Sequence, residues 1–144
     1  MKNIILILSL CCAILPFMCL KCDDLKHDES VIHKLFYIEN VKMTNVSWRI
    51  YDKLTGENAM KQRMWPRQDA EYNIEGAFRI ERNAVLPMEG SVAHPSGYEQ
   101  YTKTQVNDWK SNADFTHKLL KEPHTGEVFF SPETNWIYFN LELK

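Results

Sequence analysis

Residues 70–81, AEYNIEGAFRIE, alternate between apolar and polar side chains along most of their length. Successive side chains of an extended strand point to opposite faces, so Tyr72, Ile74, Phe78 and Ile80 share one face. A period of two over this length predicts a long strand in an antiparallel sheet with one apolar and one polar face. This strand is the clearest indication of the fold class.

The polar face of this predicted strand carries Glu71, Glu75 and Glu81, which alternate with the apolar row. We therefore expect these glutamates to face water rather than to form an active site with paired carboxylates. Gly76 lies within the apolar row. A glycine inside a strand predicts a bulge or a place where another segment crosses closely.

A second stretch with the same period lies upstream, at residues 42–52, KMTNVSWRIYD. Val46, Trp48 and Ile50 fall on one face there, which predicts another half-buried strand. Residues 52–56, DKLTG, predict a turn with aspartate at its entry and glycine in a conformation of positive φ.

The C-terminal part predicts a meander of three strands. EVFF at 127–130 and WIYFNLELK at 136–144 are separated by turn residues, and the second of them alternates clearly. The preceding FTHKLL, at 115–120, fits either the first strand of the meander or a short helix capped by Asp114. We prefer the strand.

These patterns predict an all-β fold, mainly an antiparallel β-sandwich or flattened barrel, formed by a single domain over residues 35–144. Helices are expected to be short and to occur at most near residues 58–65 and 106–120. The first of these regions also fits the return strand of a hairpin, although Met60 and Met64 have the spacing of a helical face.

Residues 1–22, MKNIILILSLCCAILPFMCLKC, combine a basic start with an apolar run, which is the layout of a secretory signal. All four cysteines of the chain lie in this segment. Cleavage after Cys22 is the first interpretation, a lipid-modified Cys22 of a bacterial lipoprotein is the second, and an uncleaved anchor is the third. Because of this signal-like segment, the domain is expected to be exported, either secreted or periplasmic. The absence of cysteine after residue 22 favours a bacterial source over a eukaryotic secretory one.

Residues 23–34, DDLKHDESVIHK, are polar and acidic, and they predict a flexible leader in front of the domain. Two of the 17 basic residues lie in the signal and none of the 19 acidic residues does, so cleavage changes the formal net charge from −2 to −4. A mildly acidic domain with scattered charges argues against nucleic-acid binding. Membrane contact is expected only through an uncleaved or lipidated N-terminal segment.

The sequence contains no nucleophile elbow, zincin, redox-cysteine, dinucleotide-binding or P-loop motif. His117 and His124 flank a predicted turn that also contains Glu122. A metal site would need a further ligand from a distant segment, and two loop histidines are the simpler interpretation. We therefore expect no catalytic residue, no cofactor and no metal.

The best candidate for a binding surface is the loop at residues 87–105, which contains two prolines and two glycines. Long loops in compact domains are often functional, and exposed aromatic side chains are frequent contact residues in interfaces. The alternative is that the aromatic rings cover the sheet. The predicted contact residues are His94, Tyr98, Tyr101, Trp65 and Trp109.

From these observations we expect a small exported binding protein without catalytic activity, whose partner is a protein or a cell-surface glycan. The alternative is a small secreted hydrolase, in which His94 or His117 meets a carboxylate in a cleft.

Overall fold

The computed structural model describes most of the chain, over residues 25–59, 70–81, 86, 87 and 89–143. The predicted signal with its Cys22, most of the ambiguous region 58–65, and Trp65 lie outside the described residues. Among the helices of the described residues, none has the length and apolar character needed to span a membrane.

All the described strands belong to one antiparallel sheet, in the order β1-β2-β6-β5-β4-β3. In chain order, the strands are β1 (Met43–Asp52), β2 (Tyr72–Ile80), β3 (Ser91–Val92), β4 (Lys110–Ser111), β5 (Thr125–Phe130) and β6 (Trp136–Glu142). The helices are α1 (Glu29–Leu35), α2 (Glu99–Thr102) and α3 (Ala113–Leu119).

The prediction of an antiparallel β protein with a few short helices is confirmed. The predicted positions of the helices, at most near residues 58–65 and 106–120, are wrong for α1 and α2, which lie outside both regions. The strand predicted over 70–81 is β2, and the predicted turn after β1 has the expected chemistry. There the Asp52 carboxylate accepts a hydrogen bond from the Leu54 backbone N–H at 2.8 Å, and Gly56 has a φ of +71°. A sandwich needs a second sheet, and the described strands form only one.

The preference for a strand at 115–120 is wrong, because these residues belong mostly to α3. The capping residue is Asn112, whose side chain accepts a hydrogen bond from the Phe115 N–H, and not Asp114. Phe115 and Leu119 are four residues apart, so one helical face places both against the core.

Residues 25–34, expected to belong to a flexible leader, pack against the sheet. Lys26 exchanges two backbone hydrogen bonds with Trp48 along the free edge of β1, at 2.7 and 2.9 Å. Asp28 caps α1, and Ile32 is fully buried. A helix of two turns needs only one or two buried side chains, so no apolar period is visible in this polar stretch.

The sheet has two faces with different coverings. The first face carries Phe78 and Phe139, and α1 and α3 pack on it to form the larger apolar core. Phe36, which follows α1, lies 5.7 Å from Phe78 and 5.1 Å from Phe139 between ring centroids. The ends of the two helices are joined by backbone hydrogen bonds, such as that from the Tyr37 N–H to the Leu119 carbonyl at 2.7 Å.

Gly76 lies on the first face, where β1 and β2 approach each other closely. A Cβ atom at this position would lie 2.5 Å from the Ser47 carbonyl oxygen and 2.6 Å from the Trp48 Cβ. These are distances that real Cβ atoms do not tolerate, so glycine is required here. This agrees with the predicted close crossing of another segment.

Candidate functional site

The second face of the sheet carries Glu75, Ala77, Phe129, Tyr138 and Asn140, and its two halves differ. One half is covered by residues 93–109, which run across the sheet between β3 and β4 and include α2. The other half has no such cover among the described residues, and its side chains are largely polar. The candidate site lies where the two halves meet.

The covered half is an aromatic cluster. Tyr98, Tyr101 and Trp109 from the covering segment pack against Tyr138 of β6. The ring centroids of Tyr98 and Trp109 are 5.1 Å apart with an edge-to-face geometry, and those of Trp109 and Tyr138 are 6.2 Å apart. Such pairs add stability beyond the area they bury.

The structure therefore separates the predicted contact residues. Tyr98, Tyr101 and Trp109 are 6%, 2% and 2% exposed, and their rings offer almost no surface to a partner. His94 is exposed, while Trp65 lies outside the described residues. The alternative interpretation, that the aromatic rings cover the sheet, matches the positions of the three buried ones.

A buried carboxylate lies beneath this cluster. Glu75 is only 6% exposed, although the alternation predicts that it faces water. Tyr101 Oη donates a hydrogen bond of 2.6 Å to Glu75 Oε2, and Tyr138 Oη donates one to Glu75 Oε1. The expectation of a solvated glutamate row thus holds for Glu71 and Glu81, which are exposed, and is wrong for Glu75.

Arg49 compensates the charge of Glu75. Its Nη2 lies 3.3 Å from Glu75 Oε2, and its Nε donates a hydrogen bond of 2.8 Å to Tyr101 Oη. The register of the sheet explains the contact, because Arg49 of β1 is the direct partner of Glu75 in β2. Buried carboxylates need such a partner, since desolvation otherwise disfavours the charged form.

The two tyrosines are held in their protonated form. Burial raises the pKa of Tyr101 well above its ordinary value, and the hydrogen bond to Glu75 raises it further. The same two causes, in the same order, raise the pKa of Tyr138. Both hydroxyls therefore remain donors, and the Glu75 side chain is contacted by three donor groups, those of Tyr101, Tyr138 and Arg49.

The open half of the second face continues the polar row. Asn140 is the β6 partner of Glu75, and Glu127 of β5 is the partner of Asn140. The Asn140 amide contacts the Tyr51 hydroxyl, with Nδ2 donating at 2.9 Å, and its Oδ1 accepts from Asn73 Nδ2 at 2.8 Å. This network fixes the orientation of the amide on the sheet.

A pocket of about 420 Å³ lies over this row, and we call it the His94 pocket. Its floor is formed by side chains of the second face, namely Glu75, Glu127, Phe129, Tyr138 and Asn140. Residues 94–96 form its rim. The rim contacts the floor at Tyr138, whose hydroxyl oxygen lies 3.1 Å from the Ser96 carbonyl oxygen, so its one proton is shared between Glu75 and Ser96.

The local sequence explains why the rim stands beside the pocket. Gly97 has a φ of +81°, a conformation that glycine adopts without strain. The chain turns there and enters α2, which brings Tyr98 and Tyr101 down onto the sheet and leaves His94 at the surface. Pro95 and Gly97 therefore shape the rim of the His94 pocket, while the tyrosines anchor it to the sheet.

A second cavity of about 430 Å³ lies between α3 and β5. It brings together His117, Glu122 and His124, the residues considered as metal ligands from the sequence. Within the described part of the chain, no three His, Cys, Asp or Glu side chains are placed so that they could hold a metal ion. The two cavities share Glu127 and Phe129.

No protein-family model, no curated protein and no solved structure matches this chain. The chemistry of the His94 pocket is therefore what points to a function. His94, which the sequence predicts as a contact residue, lines this pocket, and the sequence analysis does not name the other floor residues as contacts, namely Glu75, Glu127, Phe129, Tyr138 and Asn140. The available signal in the sequence was alternation, which places these side chains on the same face of their strands.

Proposed function

We propose that this protein is an exported binding protein without catalytic activity, which binds its ligand in the His94 pocket. The observation that carries the proposal is the construction of the floor. Tyr138, Asn140 and Phe129 lie on neighbouring strands near the centre of the sheet, and such strands position side chains more accurately than loops do. The export is supported by the signal-like residues 1–22.

The state of Glu75 supports binding over catalysis. A carboxylate that serves as a general acid, base or nucleophile must be able to exchange a proton or attack a substrate. Glu75 instead accepts hydrogen bonds from two tyrosines and an arginine, and it is almost completely buried. We assign it the role of holding Tyr101 and Tyr138 in place beneath the rim.

One observation favours the hydrolase alternative, because His94 and the exposed carboxylate of Glu127 line the same pocket. A histidine and a carboxylate in one cleft are the minimum for general acid–base chemistry. Under this alternative, both His94→Ala and Glu127→Gln abolish product formation. Under the binding proposal, the ligand is recovered unchanged after incubation with the wild-type protein.

The test is a ligand screen on the purified mature protein with saccharides, short peptides and small amines, followed by titration calorimetry of each hit. We expect at least one hit whose affinity falls about fivefold in His94→Ala, which is the loss of roughly one hydrogen bond. The matched control is His33→Ala, because His33 is exposed on α1 at the first face. Equal affinities of all hits for the two variants would contradict the proposal.

A further inference from the structure

We infer that the ligand of the His94 pocket is a neutral saccharide unit, an inference that rests on the proposed function and names its ligand class. The residues that carry it are His94, Glu127, Phe129 and Asn140. They combine planar polar groups with an aromatic ring. A pyranose presents hydroxyl groups around its edge and an apolar C–H surface on its face. The polar side chains complement the hydroxyl groups, and the aromatic ring complements the C–H surface.

Charge excludes an anionic ligand. Among the described residues that line the pocket, there are two carboxylates, Glu75 and Glu127, and no lysine or arginine. The nearby guanidinium of Arg49 is engaged by Glu75 and Tyr101. Because Arg49 compensates Glu75, the described lining retains the exposed negative charge of Glu127, which repels carboxylated or phosphorylated ligands.

The hydrogen-bonding groups suit hydroxyls, which both donate and accept. The Asn140 amide uses one of its two N–H bonds on Tyr51, and its position is fixed by Asn73. The Glu127 carboxylate accepts hydrogen bonds, and the His94 imidazole both donates and accepts in its neutral form. These three groups come from β6, from β5 and from the rim, and they line one small pocket. They therefore favour a ligand with several adjacent hydroxyls.

Phe129 supplies the apolar surface. Its ring is half-buried and stacks on Tyr138, with the centroids 5.9 Å apart and the planes 21° from parallel. Phe129 and Tyr138 are register partners in β5 and β6, so the sheet itself orients the ring in the pocket floor. The volume of about 420 Å³ lies within the range of small-molecule pockets, about 300–1,000 Å³.

The test uses a panel of neutral saccharides, uronic acids and amino sugars, screened as an array and then titrated against the mature protein. We expect neutral saccharides to bind and uronic acids to bind at least about tenfold more weakly, because Glu127 repels them. The Glu127→Gln variant retains hydrogen-bonding capacity and removes the charge. It should bring uronic acids to within about threefold of the neutral saccharides.

The matched control is Glu133→Gln, because Glu133 is exposed in the turn between β5 and β6 and outside the pocket. This variant should keep the wild-type discrimination against uronic acids. The failure of all neutral saccharides to bind at millimolar concentration overturns the inference. If amines or peptides bind instead and their binding depends on His94, the ligand class is wrong and the proposed binding function stands. If saccharides bind equally well to His94→Ala and His33→Ala, the proposed site is wrong, and with it the proposed function.

Discussion

The two faces of the sheet are stabilised in different ways. The first face is an apolar core in which phenylalanines from three segments meet beneath two helices. The covered half of the second face is built from tyrosines and tryptophans around one buried carboxylate, Glu75. Apolar packing requires shape alone, whereas the second face requires a particular pairing of donors and acceptors. Such a network places polar side chains accurately beside the open pocket.

The largest expected effect tests the apolar face. Phe139 is fully buried between Phe36 and Phe78, so Phe139→Ala should lower the free energy of unfolding by about 3–5 kcal/mol. Phe129→Ala is the matched change on the second face, where the ring is only half-buried. Urea denaturation should therefore show a smaller loss of unfolding free energy for Phe129→Ala than for Phe139→Ala. Equal losses would contradict the difference between the two faces.

An intermediate loss of stability is expected at alkaline pH, because of the buried tyrosines of the second face. Tyr101 and Tyr138 have raised pKa values in the folded protein, so above pH about 10 the unfolded chain loses these protons while the folded protein keeps them. Their contribution to stability is complete below that pH and declines as the pH rises above it. Urea midpoints measured from neutral to alkaline pH should show this decline.

Phenylalanine variants isolate the two tyrosines in this experiment. Tyr138→Phe should show a shallower alkaline decline than the wild-type protein, because one of the two titrating hydroxyls is absent. Tyr37→Phe is the control, since Tyr37 is 59% exposed. The same slope for Tyr138→Phe and Tyr37→Phe would show that the buried hydroxyls do not titrate with unfolding.

The smallest expected effect concerns the pocket itself. His94→Ala and Glu127→Gln change exposed side chains, so each should alter the free energy of unfolding by no more than about 0.5 kcal/mol. Thermal denaturation measures this directly. A loss of several degrees in the melting temperature would mean that these residues stabilise the fold, and that the pocket is not a separate binding feature.

The sequence predicts much of the first face and little of the second. Alternation correctly assigns Ile74, Phe78 and Ile80 to one face of β2, and it assigns Ile137 and Phe139 to one face of β6. Alternation is a local property, so it states which side chains share a face. It does not state whether a distant segment covers that face.

The burial of Glu75 depends on such a distant segment. Its partners Arg49 and Tyr101 are each 26 residues away along the chain, and Tyr138 is 63 residues away. A glutamate in an alternating strand is ordinarily solvated, and only the fold of 93–109 across the sheet reverses this. The same long-range contacts bury Tyr101, which the sequence suggested as a binding residue.

We infer from these contacts that Glu75 holds residues 93–109 on the second face. The most direct measurement is amide hydrogen exchange of Glu75→Gln, compared with wild type and with Glu71→Gln, whose altered side chain is exposed. We predict faster exchange at Thr102 and Val106 in Glu75→Gln, with exchange unchanged in α1 and α3 and in the control. Unchanged exchange at Thr102 and Val106, or equal acceleration on both faces, would contradict the claim.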